Sequence, residues 1–232
     1  MRLIADEAKI KTRTRTGELA PLVGLALLII AMALAFLKPA WIWVALILIW
    51  LGFMASMMGG YLGGRYVGPL AHHKKVPEAL KGLENSFTLL MYKTPVPFVV
   101  MDAGGLTTVL VRGQNGRITY QNGKWRHKDK WGWLKRFAGQ ESLGRPDQLA
   151  LLEAEDLRRF LHKRLPEGIE VPVRPVILFV HPDAIVEAAD SPVPVFRESE
   201  LKRWLRREGR RPNLPKETVE ALYAALRIEA ED

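Results

Sequence analysis

The chain contains no cysteine. Disulfides, thiolate metal sites and thiol nucleophiles are therefore excluded, a pattern compatible with a cytoplasmic domain. Acidic residues are the next shortage: 25 Asp and Glu stand against 34 Lys and Arg, for a formal net charge of +9. That balance favours anionic lipid, nucleic acid or an acidic partner without choosing among them. Catalytic signatures are missing too. The sequence has no P-loop, no Gly-X-Gly-X-X-Gly after a strand and no Gly-X-Ser-X-Gly elbow. Of the five histidines, His127, His162 and His181 are isolated. His72 and His73 are adjacent, which on a helix points them about 100° apart, so they do not suit one metal ion. With Lys74 and Lys75 they read as a juxtamembrane basic patch. No metal or other cofactor is expected.

What the chain does have is two long charge-free apolar stretches, residues 19–37 and 39–64, interrupted only by Lys38. About 20 apolar residues suffice to cross a hydrocarbon core about 30 Å thick. The connection around Lys38 is too short for a domain, so the two spans form a hairpin with both flanks on one side. Arg2, Lys9, Lys11, Arg13 and Arg15 precede it, and Arg65, Lys74 and Lys75 follow. The positive-inside rule then puts both termini in the cytoplasm, with the protein in the inner (plasma) membrane. Trp41, Trp43, Tyr61 and Tyr66 flank the second span, where amphipathic rings prefer the headgroup layer. Gly52, Gly59, Gly60, Gly63 and Gly64 give that span a small-residue surface for packing against the first span, a partner or a second copy. No Asp, Glu, Lys, Arg or His lies inside either span, which argues against an ion pathway built from these two helices.

The expected organisation is a basic N-terminal segment (1–18), the hairpin (19–64), a juxtamembrane linker (65–75) and one soluble domain (76–232). Apolar positions Ala79, Leu80, Leu83 and Phe87 predict a short amphipathic helix over 77–87. Three strand-like runs follow, 97–101, 106–112 and 117–121, bounded by Asp102-Ala103-Gly104-Gly105, Asn115-Gly116 and Asn122-Gly123. They read as an antiparallel meander. Asp102 reads as an Asx-type turn residue. Residues 124–145 read as a basic, aromatic loop. A helix opens at Pro146, with Leu149, Leu152, Leu157, Phe160, Leu161 and Leu165 largely on one side. The apolar run 175–180 suits a strand covered on both faces, and the helix before it makes that strand parallel to a neighbour. Two C-terminal helices, near 199–207 and 216–228, complete an α/β fold with a mixed sheet.

This order, with the run from Thr108 to Ile118, the following Trp125 and the Pro146-Asp147-Gln148 helix start, resembles the nuclease-related domain of the restriction-endonuclease-like superfamily. Its core is αβββαβ, and bacterial members attached to membrane spans are familiar. The resemblance covers about half the chain, from Tyr66 to Val180. It implies a metal site made by a carboxylate near the start of the meander and a Glu-X-Lys on its next strand. Here Pro97 stands near the first position, Leu110 at the glutamate and Arg112 at the lysine. The resemblance therefore implies a nuclease-like domain without its metal-binding carboxylates, a pseudoenzyme.

The strongest positive feature is cationic. Arg112, Arg117, Lys124, Arg126, Lys128, Lys130, Lys135 and Arg136 face one acid, Asp129, and are interleaved with Trp125, Trp131 and Trp133. Such a mixture suits anionic lipid, a protein partner or nucleic acid. Arg126, Lys128, Lys130, Trp131, Trp133, Lys135 and Arg136 are the candidate contacts. Arg203, Arg206 and Arg207, on one face of a C-terminal helix, join them. The expected function is a non-catalytic membrane-anchored scaffold or accessory subunit. Its expected partners are membrane lipids and other membrane subunits or a second copy; the alternative is a tethered nucleic-acid-binding protein or divergent nuclease.

Overall fold

The computed structural model describes residues 1–129, 142–208 and 213–226. Its contacts divide into a helical unit, residues 8–72, and an α/β unit drawn from residues 1–7, 73–129 and 143 onward.

The helical unit is a hairpin of α1 (Glu7–Leu37) and α2 (Ile42–Tyr66), joined by a 3-10 turn at Pro39–Trp41. Both helices are long and apolar enough to cross a membrane. Their shared seam is made of small residues. A Cβ placed on Gly24 would stand 2.7 Å from the Gly52 carbonyl oxygen, and one on Gly52 would stand 2.9 Å from the Gly24 oxygen. Neither distance leaves room for a side chain, so the backbones meet directly there. Further along, Gly59 faces the ring of Pro21, while Ala31 and Ala45 are fully buried. Large apolar side chains point the other way: Phe36 is 81% exposed, Leu37 80% and Trp43 75%. Monomeric soluble proteins rarely expose apolar patches of this extent, which fits helices long and apolar enough to cross a membrane. At the charged end, the Arg13 guanidinium donates to the Tyr66 hydroxyl and stands 5.5 Å from the centre of its ring.

The α/β unit is built on a six-stranded mixed sheet in the order β1-β2-β3-β4-β7-β9. These strands are Arg2–Ala5, Thr88–Met91, Phe98–Asp102, Gly105–Arg112, Val173–Phe179 and Val195–Arg197. β2, β3 and β4 form an antiparallel meander; β1 runs parallel to β2, β7 to β4 and β9 to β7. A second sheet, in the order β6-β5-β8, holds Lys124–Lys128, Gly116–Gln121 and Ala184–Glu187. Four helices complete the unit: α3 (His72–Leu80), α4 (Pro146–His162), α5 (Glu198–Glu208) and α6 (Lys216–Leu226). One core places Leu157 and Leu161 of α4 and Leu222 and Leu226 of α6 against Val99, Met101 and Leu106. A second joins the sheets through Leu110, Ile118, Ile177, Phe179 and Ala184. Every residue of β2, β3 and β4 is buried, as strands covered on both faces must be.

Several expectations change. The third meander strand is β2, whereas 117–121 belongs to the second sheet. Residues 1–18 are not one segment: β1 joins the main sheet and α1 begins at Glu7. The expected 77–87 helix starts earlier and stops at Leu80, with Pro77 inside it, because Gly82 takes a positive φ of 83° that ends the helical path. The linker expected over 65–75 shortens to residues 67–71, because α2 runs to Tyr66 and α3 starts at His72. On α4 the core contacts come from Ala150 and Ala154 as well as Leu157 and Leu161, while Leu149 and Leu152 face outward. Small residues bring the first turns of that helix close to the sheet, and the leucines beside them are displaced to the surface.

Candidate functional site

The positions at which a nuclease site would need acids lie in the α/β unit's interior or at its turns. Leu110 belongs to the apolar core with Ile177 and Phe179. Arg112 ends β4 opposite Phe179 and is 2% exposed. Pro97 closes the turn before β3, its carbonyl accepting the Tyr92 N–H at 2.8 Å. Asp102 is buried at the end of β3. One of its oxygens accepts the Gly104 N–H at 2.7 Å, closing the Asx turn, and the other accepts from Arg174 at 2.7 Å. This ion pair, with the Asp102 side chain 1% exposed, ties β3 to β7 across the intervening β4. Among the described residues no group of three or more His, Asp or Glu could hold a metal ion.

The second sheet carries a cationic face. Asn122 and Gly123, with φ of 51° and 72°, make the tight turn that folds β6 back on β5. In β6 the side chains alternate, so Lys124, Arg126 and Lys128 are exposed while Trp125 and His127 are half-buried. Across the ladder Lys128 faces Arg117, Arg126 faces Thr119 and Lys124 faces Gln121. The next register places Glu187 of β8 beside Thr119, and Glu187 binds Arg117 through two oxygens at 2.8 and 2.9 Å. The opposite face is apolar: Ile118 and Ala184 enter the core, Val186 and Trp125 pack against it, and the Trp125 ring lies 5.1 Å from that of Tyr120 in a tilted pair.

Like charges set directly opposite in a ladder are destabilising, by roughly 0.2–1 kcal/mol per pair. Lys128 and Arg117 are such a pair, relieved only in part by one exposed glutamate. Cations on an edge strand also keep it from pairing with other chains. Arg117 lies on the central strand, however, where that protection is not needed.

The other candidates separate. Arg206 donates to the Gly82 carbonyl at 2.8 Å and Lys202 to that of Lys81 at 3.0 Å, so both close the chain after α3. Arg203 is exposed. Arg207 lines a groove of about 860 Å³ with Tyr120, Phe196, Arg197 and Trp204. Lys130, Trp131, Trp133, Lys135 and Arg136 lie outside the described residues. The expected basic patch at 72–75 is largely committed within the fold. His72 is buried, Lys75 binds Glu78 at 2.9 Å and Glu198 at 3.7 Å, and burial, aided by Lys74, lowers the His73 pKa.

The glycines divide as well. Gly52 and Gly59 face α1, a Cβ on Gly63 would be 4.0 Å from the Gly17 oxygen, Gly60 is half-buried, and Gly64 has open space around it. Arg117 and Lys124 were visible in the basic run but not as members of one surface. The available signal was Asn-Gly followed by the alternation Lys-Trp-Arg-His-Lys, which marks a hairpin strand.

Comparison with known proteins finds no matching family model, no similar curated protein and no similar solved structure.

Proposed function

We propose that this is a two-span membrane protein whose α/β domain is a non-catalytic docking module, an accessory or scaffolding subunit of a membrane assembly. The observation that carries the reading is an insertion. β1 and β2 lie side by side in one sheet, yet the apolar hairpin separates them in the chain. If the hairpin crosses the bilayer, its two flanks are on the same side, because one sheet contains both. The basic flanks make that side the cytoplasm of the inner membrane. Anchoring is then part of how the domain is built, which suits a subunit held permanently at the membrane.

The nuclease-related resemblance is supported by the order α3, β2, β3, β4, α4, β7, which reads αβββαβ once β1, the hairpin and the second sheet are set aside. The sequence resemblance counts 117–121 as the third strand, and on that alignment the glutamate position is Leu110, a core residue of β4, which favours a degenerate domain over an active nuclease. Purification in a gentle detergent followed by mass spectrometry tests the reading. Stoichiometric membrane-protein partners support it, and a lone chain releasing nucleic acid on salt addition defeats it. The cationic face of β5 and β6 is the feature on which the alternative reading, a tethered nucleic-acid-binding protein, would rest.

A further inference from the structure

We propose that the outer face of the β6-β5-β8 sheet is a binding surface for anionic phospholipid headgroups, with Lys124, Arg126 and Lys128 as its contacts and Arg117 in support. The inference rests on the membrane-spanning reading above. The three β6 cations recur every second residue on one exposed face, and among the described residues none has an acidic partner. Among the described strand residues of this face the acid is Glu187, and it is engaged by Arg117. The surface thus presents a row of cations spaced about 7 Å apart, the repeat of alternate strand residues.

Two features favour lipid over nucleic acid. Nucleic acid bound on a sheet is held by aromatic rings that stack on bases, and here Tyr120 and Trp125 belong to the opposite face. The cationic face instead carries the exposed Ile185, directly across from Arg117, an apolar neighbour suited to the headgroup boundary. Tethering adds to this. Only Asp6 separates β1 from α1, and residues 67–71 separate α2 from α3, so an anionic leaflet is present at high effective concentration. The cations require no sequence-specific partner, only surface charge, and that the membrane supplies everywhere.

The absence of cysteine makes the test direct. Gln121, exposed on the same face, is replaced by cysteine, labelled with a fluorophore, and the full chain is reconstituted in nanodiscs containing headgroup-quencher lipids. Quenching should rise when about 30% of the lipid is phosphatidylserine and fall again in about 0.5 M salt. Each cation contributes about a five-fold change in partition, so Lys124→Gln, Arg126→Gln and Lys128→Gln together should lower it roughly a hundred-fold. Lys163→Gln, an exposed cation just past α4 and off this sheet, should leave it unchanged. The wild-type lipid and salt dependence carries the test even where a variant folds poorly. Quenching indifferent to phosphatidylserine in an embedded chain overturns the proposal and leaves the anchoring intact. A chain that fails to enter the nanodisc overturns both. Salt-sensitive binding of a labelled oligonucleotide to this face, with no lipid dependence, overturns the proposal in favour of nucleic acid.

Discussion

Proline substitution at adjacent positions of β1 tests whether that strand is integral to the domain. The Arg2 N–H donates to the Phe87 carbonyl at 2.9 Å and the Asp6 N–H to that of Met91 at 3.0 Å. Donors toward one neighbour recur every second residue, so the Ile4 N–H also faces β2, whereas that of Leu3 faces away. Ile4 packs against the core, and Leu3 is 44% exposed. Ile4→Pro removes a ladder hydrogen bond, costing about 1–3 kcal/mol where the abandoned carbonyl is buried. It also loses part of an isoleucine's burial, about 1 kcal/mol. The total, about 2–4 kcal/mol, is a large share of a typical domain's 5–15 kcal/mol. Leu3→Pro should cost less than about 1 kcal/mol, because its N–H bonds nothing in the ladder. Thermal unfolding of the full chain in detergent, with hydrogen exchange at residues 88–91, measures both. Equal effects from the two prolines would refute the assigned register, and no effect from either would refute the strand.

Three further outcomes are expected. Gly59→Leu, whose Cβ would fall on the Pro21 ring, should open the helical hairpin at a cost of about 1–3 kcal/mol, while Gly64→Ala, with open space around it, should change little. Engineered cysteine cross-links between α1 and α2 would read the difference. Asp102→Ala removes the acceptor of a buried ion pair and of the Asx turn and should lower stability by about 3–5 kcal/mol, seen as a fall in the melting temperature. His73 has a folded pKa below its usual value of 6.5, chiefly through burial and then through Lys74, with Glu7 opposing. The unfolded chain therefore binds the proton more readily. The stability from neutral His73 is present above pH 6.5 and lost as pH falls toward the folded pKa, and His73→Gln should flatten that slope in acid melts.

How much of this was legible in the sequence depends on where the forces are local. The apolar hairpin, the strands at 98–102, 105–112 and 173–179, and the C-terminal helices follow from periodicity and from turn residues that act over a few positions. β1 did not, since four residues before a basic segment acquire strand character only by pairing with β2, more than 80 residues away. β2 was hidden for a related reason: Thr-Leu-Leu-Met has no alternation, because both of its faces are buried. Division of the strands between two sheets is likewise a long-range choice. Gly116, with φ of 80°, turns the chain out of the first sheet so that β5 pairs with β8. The cations could be counted from the sequence, but which of them share a surface depended on β6 being a strand.

The insertion of the hairpin between β1 and β2 has a consequence for any soluble version of this domain. Leu89 and Leu90 of β2 are 0% and 1% exposed, and one edge of that strand is covered by β1 alone. A fragment beginning at residue 67 keeps every other strand of the sheet but uncovers β2, a short apolar edge without a charge or proline to blunt it. Uncovered edges of that kind pair with other chains. The fragment should therefore oligomerise on concentration, and its exchange at residues 88–91 should be fast. Restoring residues 1–6, joined to residue 67 by a flexible Gly/Ser linker in place of the hairpin, should return a monomer with slow exchange there. Light scattering and hydrogen exchange on the two proteins decide the matter. A shortened fragment that stays monomeric and equally protected would show that β1 is a dispensable addition, and the case for a domain built around its membrane anchor would fall with it.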